Sequence, residues 1–126
     1  WGPDGFAVKV RELDLRPGGA LLYMTTAVGS DQIAFMKNAG MPLSIETRVT
    51  YTVVDPPRRL AYSTRADFIP GVEPYDATTV VDLHDTPDGV RLVLTQEAMH
   101  DESWTQMAIM GWESELNRLA EALKKA

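Results

Sequence analysis

Few residues in this chain could take part in chemistry, and their spacing restricts what that chemistry could be. Its two histidines are His84, beside Asp82 and Asp85, and His100, just before Asp101 and Glu102. A metal site needs three or four convergent ligands, and neither an H-x-H nor an H-x-x-x-H spacing occurs. Both histidines therefore read as solvated. The absence of cysteine removes a thiolate nucleophile, a disulfide framework and a zinc ribbon. The serines, threonines and lysines form no nucleophile elbow or phosphate loop, so nothing calls for a cofactor. Glu97 is the one carboxylate that could do acid–base work. If its face of a strand looks inward, burial would raise its pKa. If it looks outward, it pairs with Arg91 or Arg48 on the sheet surface, and outward is the expected position.

The remaining candidates suit binding better than catalysis. Tyr23, Tyr51 and Tyr62 each lie in an alternating stretch. A buried tyrosine needs a hydrogen-bond partner, and a ligand can be one. Met24, Met36, Met99, Met107 and Met110 offer adaptable apolar surface. Trp104 and Trp112 are two turns apart on one helical face, as core residues or as cavity lining.

The elements that must position these residues are legible from periodicity. Apolar residues at Trp104, Ala108, Trp112, Leu116, Leu119 and Leu123 mark one face of a helix from about Asp101 to Ala126. Glu113, Glu115, Asn117, Arg118 and Glu121 fall on the other side. Such a helix runs roughly 35 Å at about 1.5 Å per residue. Asp101 and Ser103 are both acceptable N-caps. Lys124 and Lys125 suit the negative end of the helix dipole. Gly111 inside this helix costs about 1 kcal/mol relative to Ala, which suggests close approach of a strand or bulky side chain.

Upstream the chain reads as strands. WGPDGF is turn-like. Phe6 to Arg16 is a strand with a bulge near Glu12, and the Arg16-Pro17-Gly18-Gly19 turn joins it to Ala20–Val28. Asp31 to Ala39 is a short helix or a lid-like loop, with Asp31 as cap and Gly40 and Pro42 as stops. Leu43 to Asp55 alternates, with Ile45, Thr47, Val49, Tyr51 and Val53 inward. Arg59–Asp67, Asp76–Thr86 and Val90–Met99 follow, separated by a DPPR turn, the loop FIPGVEPY and a PDG turn. The fold class predicted is α+β: an antiparallel sheet of about six strands, curved around a long C-terminal helix. Volume enclosed between the two would be the place for a ligand.

With 126 residues the sequence has the length of a single domain. It contains no run of about 18 apolar residues, so no membrane span is expected. The net charge of −6 argues against nucleic acid as a partner. Absence of cysteine fits a reducing cytoplasm.

WGPDGF, LRPGG, VVDPPRRLAYS, VRLVLTQ and GWESELNRLAEAL, in this order and spacing, resemble the SRPBCC (START-like) superfamily. Within it they are similar to the branch of activators of the heat-shock-protein-ninety ATPase. The resemblance covers essentially the whole chain and implies a helix-grip fold with an apolar cavity. It also implies a range of functions: ligand carriers, aromatase/cyclase enzymes, sequestering resistance proteins and a cochaperone domain. No catalytic motif carries over. Members normally have a strand and two short helices before the WGP segment. Roughly 20 to 30 residues are thus expected to precede this chain, or another subunit to fill their place.

Three functions follow as expectations. The first is binding of an apolar or aromatic small molecule by Tyr23, Met36, Tyr51, Met99, Trp104 and Trp112, with Glu97 as a further candidate. The second is a cyclase or hydrolase using Glu97 or a histidine. The third is a cochaperone-like module that binds another protein, for which a chaperone would be the partner. A homodimer is compatible with each.

Overall fold

Short runs of β-branched and aromatic residues, cut by Pro-Gly turns, favour hairpins over long crossovers. The computed structural model describes residues 3–67 and 69–125. The start of the WGPDGF turn, Phe68 of the FIPGVEPY loop and the expected helix end at Ala126 lie outside the described residues. Six strands and two helices follow one another: β1 (Phe6–Leu13), β2 (Ala20–Ala27), α1 (Ser30–Asn38), β3 (Ser44–Asp55), β4 (Arg59–Ala66), β5 (Tyr75–Thr86), β6 (Gly89–Gln96) and α2 (Glu102–Lys124). The strands form one six-stranded antiparallel sheet in sequence order, so the α+β class expected from the sequence is the one found.

Two compact units can be described. The first comprises Trp1–Lys9, Met24–Glu46 and Ala98–Ala126, and so contains both helices. The segment 30–38 is a helix, not a loop. Its N-cap is Gly29, which offers no side-chain cap, and Asp31 lies in the first turn instead of capping. A carboxylate there still faces the positive end of the helix dipole. Val28 and Gly29 N–H both donate to Gly5 O, at 2.9 and 3.0 Å. A Cβ on Gly29 would meet the Gln32 side chain and lie 3.1 Å from Gly5 Cα, so a larger residue here has to displace both. Asp101 caps α2, its carboxylate accepting from Trp104 N–H at 2.8 Å. The turn before β1 is tied to α2: Asp4 N–H donates to Ser114 Oγ at 3.2 Å and Arg118 Nη1 donates to Pro3 O at 3.4 Å.

Three expectations about α2 need correction. The apolar stripe is half-buried and not buried at any position, and it stops at Leu119, because Leu123 is 65% exposed. Glu115 is half-buried with the apolar face, because it stands three residues after Trp112 and four before Leu119. Burial pushes its carboxyl pKa up. Outside its own turn of helix, no atom of the described residues lies within 4 Å of a Cβ built on Gly111, so no close approach among them accounts for that glycine.

The second unit comprises Val10–Tyr23 and Thr47–Glu97. Its core sits on one face of β3 to β6. Val49 pairs with Thr64, Tyr51 with Tyr62, Tyr62 with Thr79, and Thr79 with Gln96. Val49, Tyr51, Ala66, Ala77 and Thr79 are buried there. The opposite face carries ion pairs, with Arg59 donating to Asp82 at 2.7 Å and Arg65 to Asp76 at 3.4 Å, but it also buries Ala61, paired with Val53 and Val80. The hydrogen bond from Arg59 holds the Asp82 carboxyl below the usual range and raises the guanidinium.

Val53 was expected inward and is 38% exposed. The β3–β4 register shifts between Tyr51 and Val53. Such a bulge reverses the alternation, so Val54, paired with Leu60, takes the inner position.

Candidate functional site

Tyr51 is the sequence-derived candidate with the most constrained surroundings. Its strand places it on the inner face, where it is 6% exposed. Its backbone is fixed by the LRPGG turn. Gly18 N–H donates to Tyr51 O at 2.8 Å, and Tyr51 N–H donates to Gly19 O at 2.9 Å. Both glycines are required by geometry. Gly18 has φ +83°, and a Cβ on Gly19 would run into the Asp14 carbonyl. The ring of Tyr51 meets that of Tyr62 edge-on, with centroids 6.2 Å apart and planes at 80°.

The Tyr51 hydroxyl has no hydrogen-bond partner among the described residues. No buried side-chain nitrogen or oxygen among them lacks a partner. The oxygen is therefore the part of this buried side chain that reaches accessible space. Burial alone raises its pKa. Thr79 repeats the pattern two strands away: it is 3% exposed, and its hydroxyl also has no partner among the described residues. Register puts Tyr51, Tyr62, Thr79 and Gln96 in one row across four strands. The arrangement offers hydrogen-bonding oxygens set among Val49, Val81, Ala77 and Leu94, on one side of a sheet. The groups on this row are hydrogen-bonding ones, and no nucleophile–base pair is formed there among the described residues.

The other candidates are distributed. Tyr23 is half-buried in β2 and belongs to the same unit as Tyr51. Glu97 follows β6, is exposed, and by alternation continues the Val93–Thr95 side away from Tyr51. Its N–H donates to Thr78 O at 3.0 Å. Met36, Met99, Trp104 and Trp112 belong to the first unit. Met36 is buried in α1. Met99 N–H donates to Thr105 Oγ1 at 2.9 Å, which joins the segment before α2 to its first turn. Trp104 lies against His100, with ring centroids 5.8 Å apart. His100 Nε2 lies 3.5 Å from Asp101. His84 is exposed and opposite Arg91. No cluster of three or more potential metal ligands occurs among the described residues.

Thr79 and Gln96 were not among the candidates drawn from the sequence. The signal was a threonine and a glutamine in apolar series, Ala77-Thr79-Val81 and Leu92-Leu94-Gln96.

Over residues 1–124 the sequence matches the family described as Activator of Hsp90 ATPase homolog 1-like protein. The chain belongs to that family. No curated protein matches this family member. Solved structures do. Protein CV1439 from Chromobacterium violaceum is 26% identical with a TM-score of 0.76, over 96% of this chain and 75% of that one. Protein Ms6760 from Mycobacterium smegmatis shares the fold at 23% identity and a TM-score of 0.69, over 99% and 73% of the two chains. Protein NE0264 from Nitrosomonas europaea does so at 20% identity and a TM-score of 0.66, over 98% and 75%. This Hsp90-activator homologue has no described helix long and apolar enough to cross a membrane.

Proposed function

We propose that this family member binds an apolar small molecule on the inner face of its sheet, with Tyr51 at the centre. The observation that carries the reading is a buried tyrosine whose hydroxyl opens onto accessible space while its backbone is held on both sides by a turn. The hydroxyl is bonded to no described residue, which leaves it open to a partner from outside the protein. The family resemblance supports a binding role, since it includes ligand carriers. The proposal rests on Tyr51; Glu97, exposed and on the other side, has no part in it.

The test is titration with N-phenylnaphthylamine, a neutral probe that brightens in apolar surroundings. Neutrality matters because the chain carries a net charge of −6, which disfavours anionic dyes. Saturable brightening is the expected result, weakened by bulk at the inner face, as in Ala77→Leu. A linear, unsaturable response sinks the proposal.

A cochaperone-like role is the second reading, favoured by Ile109 and Met110, exposed side by side on α2 at 45% and 67%. Adjacent exposed apolar residues on a helix suit a protein partner. Purified chaperone of the ninety-kilodalton class should then bind the wild type, and should lose binding to a variant with Ile109 and Met110 both changed to Gln. No binding by the wild type removes this reading.

A further inference from the structure

We infer that the guest carries a hydroxyl or carbonyl oxygen on an apolar body, and that Tyr51 and Thr79 are the side chains that read it. This deepens, and rests on, the small-molecule reading given above. The argument is one of hydrogen-bond accounting. Tyr51 and Thr79 are more than nine-tenths buried, and neither hydroxyl has a partner among the described residues. Their oxygens stay in contact with accessible space, so water satisfies them while the face is empty. A guest that fills the space displaces that water. A pure hydrocarbon would leave both oxygens unpaired, and a buried unpaired hydroxyl is costly. A guest bearing an oxygen at the right place restores the bonds.

The register makes the placement specific. Tyr51 pairs with Tyr62, and Tyr62 pairs with Thr79, so Tyr51 and Thr79 flank one tyrosine on the same side of adjacent strands. Strands lie about 4.8 Å apart, so the two positions span roughly 10 Å. That is the reach of a ring with a polar substituent. The neighbouring rows are apolar or small: Val49, Thr64 and Ala77 on one side, and Leu60, Val81 and Leu94 on the other. The chemistry described is a polar row beside one apolar margin, Leu60, Val81 and Leu94, and one that is apolar except for Thr64. The edge-on contact with Tyr62 restricts the Tyr51 ring, so its hydroxyl is held in place before the guest arrives.

The experiment is displacement of bound N-phenylnaphthylamine by para-butylphenol and by butylbenzene, which differ by one hydroxyl. Wild type should prefer the phenol about tenfold, which corresponds to about 1.4 kcal/mol. Tyr51→Phe and Thr79→Val each remove one hydroxyl and keep the shape, so circular dichroism should be unchanged. The single phenol hydroxyl reaches only one of two groups roughly 10 Å apart, so one variant should remove most of the preference, the other should leave most of it, and the double variant should abolish it. The inference is overturned if butylbenzene competes as well as the phenol, if the variants keep the tenfold preference, or if the phenol fails to displace a probe that binds. Those outcomes leave small-molecule binding standing. A probe that does not saturate on the wild type overturns both.

Discussion

Gly111→Ala tests whether the environment of α2 is correctly described. A mid-helix glycine loses about 1 kcal/mol relative to alanine through backbone entropy. From sequence, that loss implied a neighbour too close for a methyl group. Outside its own turn of helix, the structure places no atom of the described residues within 4 Å of the added Cβ, so the loss is recoverable in full. The methyl sits at a half-buried position and adds at most a few tenths of a kcal/mol by burial. The net expectation is stabilisation by about 1 kcal/mol. Unfolding entropy of about 2.1 cal/mol/K per residue over 126 residues is roughly 0.26 kcal/mol/K, so Tm should rise by about 4 °C. Thermal melts followed by far-UV circular dichroism measure this directly. Gly29→Ala is the control and should lower Tm, because its Cβ meets Gln32 and Gly5. A fall in Tm for Gly111→Ala would refute the reasoning, for it would mean that something covers Gly111 in solution.

Other substitutions have equally definite signs. Asp101→Ala removes the cap on Trp104 N–H and should cost about 1 kcal/mol, read by urea denaturation. Glu115 has a folded pKa raised by burial, so its charge opposes folding. The folded state loses stability as pH rises from the unfolded pKa through the folded one, and the loss is complete above it. Glu115→Gln should therefore stabilise at neutral pH by less than about 1 kcal/mol, since the carboxyl keeps part of its hydration, and the gain should vanish in acid. Denaturation midpoints at several pH values check this. Asp82 behaves oppositely. Its folded pKa is lowered by Arg59, so the stabilisation is present above the unfolded pKa and is lost as pH falls through the folded pKa. Carboxyl titration by NMR should find Asp82 below the usual range, and back within it in Arg59→Gln.

Strand and helix positions were legible because each element repeats its own period. The three tight turns between strands and the loop punctuated them to within a few residues, and Asp101 was one of the two caps offered, with Ser103. What escaped was whatever depends on a partner far away in sequence. The bulge after Tyr51 left no local trace, because Thr52-Val53-Val54 suits a strand in either phase. Glu115 was placed outside by its charge, while its spacing from Trp112 and Leu119 put it inside. Glu97 drew attention as an acid, yet the row that includes Tyr51 reaches Gln96 instead. The proposed site was legible only as a class of residue, tyrosines on alternating strands, of which Tyr51 is buried. Its members could be found only once register was known.

The last prediction joins the turn to the site. Gly18 and Gly19 both bond the backbone of Tyr51, but they are glycines for different reasons. Gly18 adopts a left-handed conformation in open space, so Gly18→Ala should cost about 1 kcal/mol in strain and leave the turn's shape intact. Gly19 is confined by the Asp14 carbonyl, which is backbone and cannot swing away. Gly19→Ala must move the turn, and with it one or both bonds to Tyr51. Loss of about two such bonds puts the cost near 2 kcal/mol. If the turn exists to hold Tyr51, Gly19→Ala should also flatten the preference for para-butylphenol over butylbenzene, and Gly18→Ala should not. If both variants lose stability but keep the preference, the turn serves the sheet alone.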